Sequence, residues 1–230
     1  MLKALLEGYI QKSKNNTFEF DENITSSILI YFITQKSFSL LRGLKFFRFS
    51  QRGKLLFLGR SVSLFIKKNI QFGNNVNIGD YVKLSALGNG KLEIGDNVNI
   101  GSFSNIIISS SLNNIGCYIN IGNNVGIGEF AYIGGGGGAV IGANTIIGQY
   151  FSVHPENHNF SDNKILIRNQ GVSRKGIEIG ENCWIGAKVT ILDGVVIADN
   201  CVIAAGSVVT KSFSKNSVIA GVPAECIKNR

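Results

Sequence analysis

The 230-residue sequence contains only 2 prolines, 2 histidines, 1 tryptophan and 1 methionine. Its 4 cysteines, Cys117, Cys183, Cys201 and Cys226, form no CxxC pair and no Cys/His cluster with zinc spacing. A disulfide scaffold and a zinc finger are therefore excluded, and reduced thiols in a cytoplasmic protein are the simplest expectation. The longest apolar run near the N-terminus, residues 28–33, is far below the roughly 20 residues needed to span a bilayer. The opening MLKALLEGYI lacks the long apolar core and small-residue cleavage site of a signal peptide. Acid is also scarce: 15 Asp and Glu stand against 23 Lys and Arg, for a net charge of +8. Much of the excess lies in Lys36, Arg42, Lys45, Arg48, Arg52, Lys54, Arg60, Lys67 and Lys68. Such a balance suits anionic lipid, phosphorylated ligands or nucleic acid, or simply a solvated basic face.

What the chain has in excess is glycine, 28 residues, nearly double the average usage of about 7%. The glycines are not scattered. Aliphatic-Gly pairs recur every six residues: Phe72-Gly73 and Ile78-Gly79; Ile94-Gly95 and Ile100-Gly101; Ile115-Gly116, Ile121-Gly122, Ile127-Gly128 and Ile133-Gly134. The step continues through Ile141-Gly142, Ile147-Gly148 and Val153, then Ile179-Gly180, Ile185-Gly186, Ile191, Ile197, Ile203 and Val209; Ile66 and Leu84 extend the first series. A helix predicts apolar spacings of three and four, and a plain strand predicts two. A step of six fits short strands joined by tight turns, one aliphatic residue per strand pointing inward and stacking on the next coil. Glycine and Asn are expected to serve the turn conformations. The run Gly134–Gly138 falls in a break between series and reads as a loop.

The breaks carry information. Four extra residues separate Leu84 from Ile94, three separate Ile106 from Ile115, and two separate Ile133 from Ile141. From Val153 to Ile179, 26 positions on, no anchor appears, and this stretch holds both histidines. It must leave the coil stack as a loop, residues 154–178. Ahead of the repeat, residues 1–60 form a separate N-terminal segment, with the repeat domain taken as 61–230. Asp21-Glu22-Asn23 followed by Ile24, Ile28, Leu29 and Phe32 reads as a capped amphipathic helix, and a second apolar and basic stretch runs from Phe38 to Phe49. These elements either shield the open end of the solenoid or contact a membrane surface.

Four motifs complete the picture: His154-Pro155-Glu156-Asn157-His158-Asn159-Phe160-Ser161-Asp162, Asn182-Cys183-Trp184-Ile185-Gly186, Ala204-Ala205-Gly206-Ser207-Val208-Val209-Thr210-Lys211 and Ala220-Gly221-Val222-Pro223-Ala224. With the hexapeptides they resemble the hexapeptide-repeat acyltransferases, above all the O-acetyltransferases of bacterial surface polysaccharides. The resemblance covers residues 60–230. It implies an all-β fold, a left-handed parallel β-helix with about three hexapeptides per turn, here preceded by a short helical segment. It also implies a homotrimer with active sites between subunits, acetyl-CoA as donor, a saccharide acceptor, and neither a metal nor a nucleic-acid partner. The location expected is cytoplasmic, at the inner face of the membrane if residues 1–60 touch lipid.

Moving an acetyl group onto a sugar hydroxyl requires a base to take the hydroxyl proton, and histidine is suited to this near neutral pH. The resemblance sets the catalytic histidine about five residues beyond the last anchor before the loop. Val153 is that anchor, which selects His158; His154 is a supporting catalytic candidate. Glu156, Asn157 and Asn159 are candidates to orient the imidazole or bind sugar hydroxyls. Trp184 precedes an anchor and should point outward, and in relatives this tryptophan lines the donor site. Ala187, Ala205, Thr210 and Lys211 match donor-contacting positions. Relatives often carry two basic residues after the Gly-x-Pro turn; here Glu225 takes the first position and Lys228 the second, with Arg230 as an alternative phosphate partner. A γ-type carbonic anhydrase shares the coil but needs three histidines around zinc. An N-acetyltransferase of an amino sugar or nucleotide sugar uses the same base logic. Other acyl groups such as succinyl, and a non-catalytic scaffold, are the remaining alternatives.

Overall fold

A computed structural model describes residues 2–13, 17–44 and 51–230. The described residues build a left-handed β-helix of three sheets, with seven, nine and seven strands, that form the faces of a triangular prism; the pairing is parallel except for the C-terminal strand Ala224–Asn229, which runs antiparallel on the second face. The chain visits the faces in turn: Ile70–Phe72 on the first, Val76–Ile78 on the second, Lys83–Ser85 on the third, then Leu92–Ile94 on the first again. Residues pair in register with their equivalents one coil away, as in Ile119↔Ala139↔Ile177 and Ile106↔Ile133↔Val153. Backbone N–H and C=O groups within the stack are thereby paired between neighbouring coils.

The anchors lie inside as the repeat predicts, but each strand sends in two residues, not one. Val76 accompanies Ile78, Val98 accompanies Ile100, and Phe151 accompanies Val153, all buried. Alternation along a strand returns the residue two before the anchor to the same side. These companion sites also hold Cys183 and Cys201, which explains two of the four thiols as core residues; burial pushes the Cys183 thiol up to about 11. Ile66 and Ile115 keep the six-residue step yet sit half-buried outside the core, and Ile66 adopts a left-handed corner conformation.

The glycine after each anchor also has a different cause from the one the turns suggested. The left-handed residues are mainly the ones two positions later, such as Asn75, Tyr81, Asn97 and Phe103, with φ between 57° and 61°. The glycines instead permit close stacking of coils: a Cβ on Gly142 would lie 2.4 Å from the backbone carbon of Gly180.

Two helices precede the coils. α1 spans Leu2–Ser13, which the sequence pattern did not signal, and α2 spans Ser26–Leu44. α2 merges the two stretches expected separately. Its cap is Thr25, whose Oγ1 accepts from the Ile28 N–H at 3.3 Å, while Asp21 closes a turn ahead of it by accepting from Asn23 N–H at 2.9 Å. Lys45, Arg48 and the rest of 45–50 lie outside the described residues. α2 covers the strand Leu56–Leu58, the end strand of the second face. Arg42 Nε donates to the Leu58 carbonyl at 2.7 Å, filling the place a further coil would take, so α2 shields that edge.

Candidate active site at the third corner

The prism has three edges, and only one carries long insertions. The first corner (first to second face) and the second corner (second to third face) are turns of three or four residues. The third corner, from third back to first face, holds residues 109–118, then Gly135–Gly138 one coil on, then residues 155–176 another coil on. The break expected between Ile106 and Ile115 therefore runs later, because Ile108 is still in the core and Ile119, the companion of the anchor Ile121, is the next core residue.

The histidine loop is built, not slack. His154 ends the strand Ser152–His154 of the third face, and buried Pro155 turns the chain away. Asn157–His158 then pairs antiparallel with Val172–Ser173, placing His158 opposite Val172. Gln170 holds the far part: its Nε2 donates to the carbonyls of Asp162 at 2.7 Å and Ile165 at 2.8 Å. Asn159 donates through Nδ2 to the Gln170 carbonyl at 3.1 Å and through its N–H to Gly171 at 3.0 Å.

Between this loop and the 109–118 insertion lies a cavity of about 250 Å³ lined by Ser109, Ser111, Tyr132, His154, Glu156 and His158, with Gly134 and Ile107 among its walls. His154 stacks on Tyr132 with ring centroids 5.3 Å apart. Burial, and then the nearby Glu156 charge, hold the Tyr132 phenol above its ordinary value, so it stays a hydrogen-bond donor. Both histidines thus face one space, together with hydroxyls that can bind a polar acceptor. Glu156 lines the same space, paired with Arg174 at 3.0 Å. Asn157 is exposed and alternates away from His158 on its strand, and Asn159 is engaged in the loop's own bonds. Ser109, Ser111, Tyr132 and Arg174 were not among the residues singled out from sequence. They sit at breaks or at outward positions, where a six-residue step carries no signal.

The residues expected on the donor side lie elsewhere. Trp184 projects from the second face, 60% exposed, between Ile146 and Val202 of the adjacent coils. Ala187 and Ala205 occupy the second corner above it, their backbone against Gly148 and Gly186. Thr210 and Lys211 follow Val209, and Lys211 pairs with Glu225, which lies on the C-terminal strand Ala224–Asn229 together with Lys228. The residue at the first tail position is thus an acid that neutralises Lys211. Among the described residues no group of three or more His, Cys, Asp or Glu could hold a metal ion.

Residues 176–211 match the family model "Bacterial transferase hexapeptide (six repeats)". The chain is 28% identical over 167 residues to the putative lipopolysaccharide biosynthesis O-acetyl transferase WbbJ of Escherichia coli, covering 70% of this chain and 71% of that one. It is 37% identical to the galactoside O-acetyltransferase of Escherichia coli over 48% of this chain, and spans 57% of that protein's length. Among solved structures, a complex of AntD, an N-acyltransferase from Bacillus cereus, with dTDP and Coenzyme A superposes with a TM-score of 0.54 at 25% identity, covering 82% of this chain and 88% of that one. LpxA from Acinetobacter baumannii shares the fold with a TM-score of 0.56, covering 78% and 63% of the two chains at 16% identity. The hexapeptide repeat over residues 176–211, the coil and these relatives together mark the chain as an acyl-CoA-dependent acyltransferase built on hexapeptide repeats.

Proposed function

We propose that the protein transfers an acetyl group from acetyl-CoA to a sugar hydroxyl of a surface polysaccharide or its precursor, with His158 as general base. The observation that carries this reading is the third-corner cavity, where both histidines meet the hydroxyls of Ser109, Ser111 and Tyr132. His158 accepts the acceptor proton as the hydroxyl oxygen attacks the thioester carbonyl carbon. The C–S bond then breaks, and the proton leaves with the CoA thiolate as free thiol. The saccharide class follows the likeness to WbbJ, a lipopolysaccharide biosynthesis protein by name.

The donor groove rests on Trp184, Ala187, Ala205, Thr210, Lys211 and Lys228. Trp184 stands on the second face, and that face lies across the prism from the third corner. One chain's Trp184 is therefore far from its own His158, which supports a homotrimer with each site completed between subunits. A second reading, N-acylation of an amino sugar, is favoured by the superposition on AntD. Incubation with acetyl-CoA and candidate glycans should release free thiol and yield a base-labile acetyl ester. A base-stable amide would select the second reading, and absence of thiol release with any saccharide would remove both.

We also infer a contact with anionic lipid. Between Glu22 and Asp80 the chain has 9 Lys and Arg and no acid. α2 turns Leu29, Ile33, Lys36, Leu40 and Gly43 toward the protein yet exposes Tyr31, Phe38 and Leu41 on its other side. An apolar outer face on a segment rich in cations suits a membrane interface. Among the described residues no helix is long and apolar enough to cross a membrane. The protein should sediment with phosphatidylglycerol vesicles and less so when Tyr31 and Phe38 become Ser; absence of sedimentation at low salt would refute the contact.

A further inference from the structure

The third corner contains a device that the family motifs do not describe. Arg174 lies near the end of the histidine loop, and its side chain is only 18% exposed although it is a guanidinium at the surface. Its Nε donates to Glu156 Oε2 at 3.0 Å, on the other limb of the loop. Its Nη1 donates to Asn114 Oδ1 at 2.8 Å and to the Ile115 carbonyl at 2.9 Å, and its Nη2 to the Asn114 carbonyl at 3.1 Å. One planar group thus joins both limbs of the loop to an insertion two coils away. A guanidinium can do this because its donors are fixed in a fork; an ammonium cannot meet all of these acceptors at once.

The coil between the two insertions must leave room for this pair to cross, and it does so with glycine. A Cβ on Gly136 would lie 2.5 Å from Glu156 Oε2 and 3.4 Å from Arg174 Nε. The glycine run that reads from sequence as a loose loop is a bare saddle under an ion pair. The two insertions joined across it both line the cavity, one with Ser109 and Ser111 and the other with His158.

We propose that Arg174 is a positioning residue for acyl transfer: with Glu156, across Gly136, it fixes the histidine loop to the 109–118 insertion and so sets His158 relative to the acceptor wall. This rests on the assignment of His158 as base. Arg174 touches neither reacting group; it acts through Glu156 and the loop. The bonds it makes lie outside the coil stack, so the solenoid does not depend on them.

The test uses the full-length protein in the acetyl-transfer assay. Arg174→Ala should lower kcat about 10- to 100-fold, since a shift of an ångström in a catalytic group costs on this scale. KM for acetyl-CoA should stay unchanged, because the donor groove is on another face. Arg174→Lys should fall between. Gly136→Ala approaches the same pair without removing a charge: its methyl meets the flexible end of Glu156, so the fold should survive while the carboxylate moves and kcat drops. Chymotrypsin supplies a readout independent of activity, since Phe160 and Leu166 in the loop are exposed. Cleavage there should quicken in Arg174→Ala at unchanged Tm. Wild-type kcat in Arg174→Ala, or a kcat loss that only tracks a fall in Tm, overturns the proposal. A wild type that transfers no acetyl group to any saccharide sinks the functional reading and this role with it, whereas active wild type with unaffected variants sinks this role alone.

Discussion

The first two corners of the prism and the third solve opposite problems. At the first corner the left-handed positions are asparagines apart from Leu55, and four of them are linked side chain to side chain: Asn75 to Asn97 at 2.8 Å, Asn97 to Asn124 at 3.0 Å and Asn124 to Asn144 at 2.9 Å. At the second corner four successive equivalent positions are Tyr81, Phe103, Phe130 and Tyr150, a stack with centroids 5.1, 5.1 and 5.0 Å apart, with Ser61 before it and Lys188 after it. Asparagine tolerates the left-handed conformation and bonds along the axis. The aromatic residues bear its cost, roughly 1–2 kcal/mol each, offset in part by stacking, about 0.5–1.5 kcal/mol per pair. Both corners repeat because each coil must present the same shape to the next. The third corner abandons the repeat, and it brings three insertions distant in sequence together, two of them around the cavity that holds both histidines. Regularity makes the scaffold; its interruption makes the site.

That division can be broken experimentally. The largest effect should come from the interrupted corner: His158→Ala should lower kcat by about 10²- to 10⁴-fold while leaving Tm within error. Near wild-type turnover in that variant would mean that another group, His154 first, is the base. Next comes the stack itself. Phe151 is fully buried, and Phe151→Ala should cost about 3–5 kcal/mol in denaturant unfolding. A loss below 1 kcal/mol would show that the companion positions do not bear the core. At the first corner, Asn124→Ala removes two ladder bonds and a left-handed former, for about 1–2 kcal/mol. The smallest effect belongs to the second corner. Phe130→Asn loses two stacked neighbours but gains a residue suited to its φ of 58°, so the net change should stay under about 1 kcal/mol. A larger loss would give the aromatic ladder a structural weight that its exposure does not suggest.

The coil was legible because a step of six leaves an unambiguous mark, and Ile78, Ile100, Ile127 and Ile147 are all where the repeat requires them. Misreadings arose where one pattern had two causes. Ile115 satisfies the step and precedes a glycine, yet the core there is held by Ile108 and Ile119, because an insertion shifts the phase silently. The glycines suggested turn conformations, whereas close contact between coils demands them. In the candidate site, the two histidines stand out because they are so rare. Tyr132 was hidden because an outward residue beside an anchor varies freely in a solenoid. Arg174 was hidden because nothing local distinguishes a cation in a long loop; only the position of Asn114, sixty residues earlier, gives it meaning.

By itself, then, the sequence determined the stacking unit, the place where the stack opens and the residue type able to move a proton there, since each follows from spacing or chemistry local to the chain. Only the tertiary structure decided which loops share a wall, that Glu156 is held by Arg174 across a bare glycine saddle, and that Trp184 looks out from the face opposite His158. Those relations depend on how many residues separate coils at a corner where that number is no longer fixed, and distances across such a corner exist only once the coils have stacked.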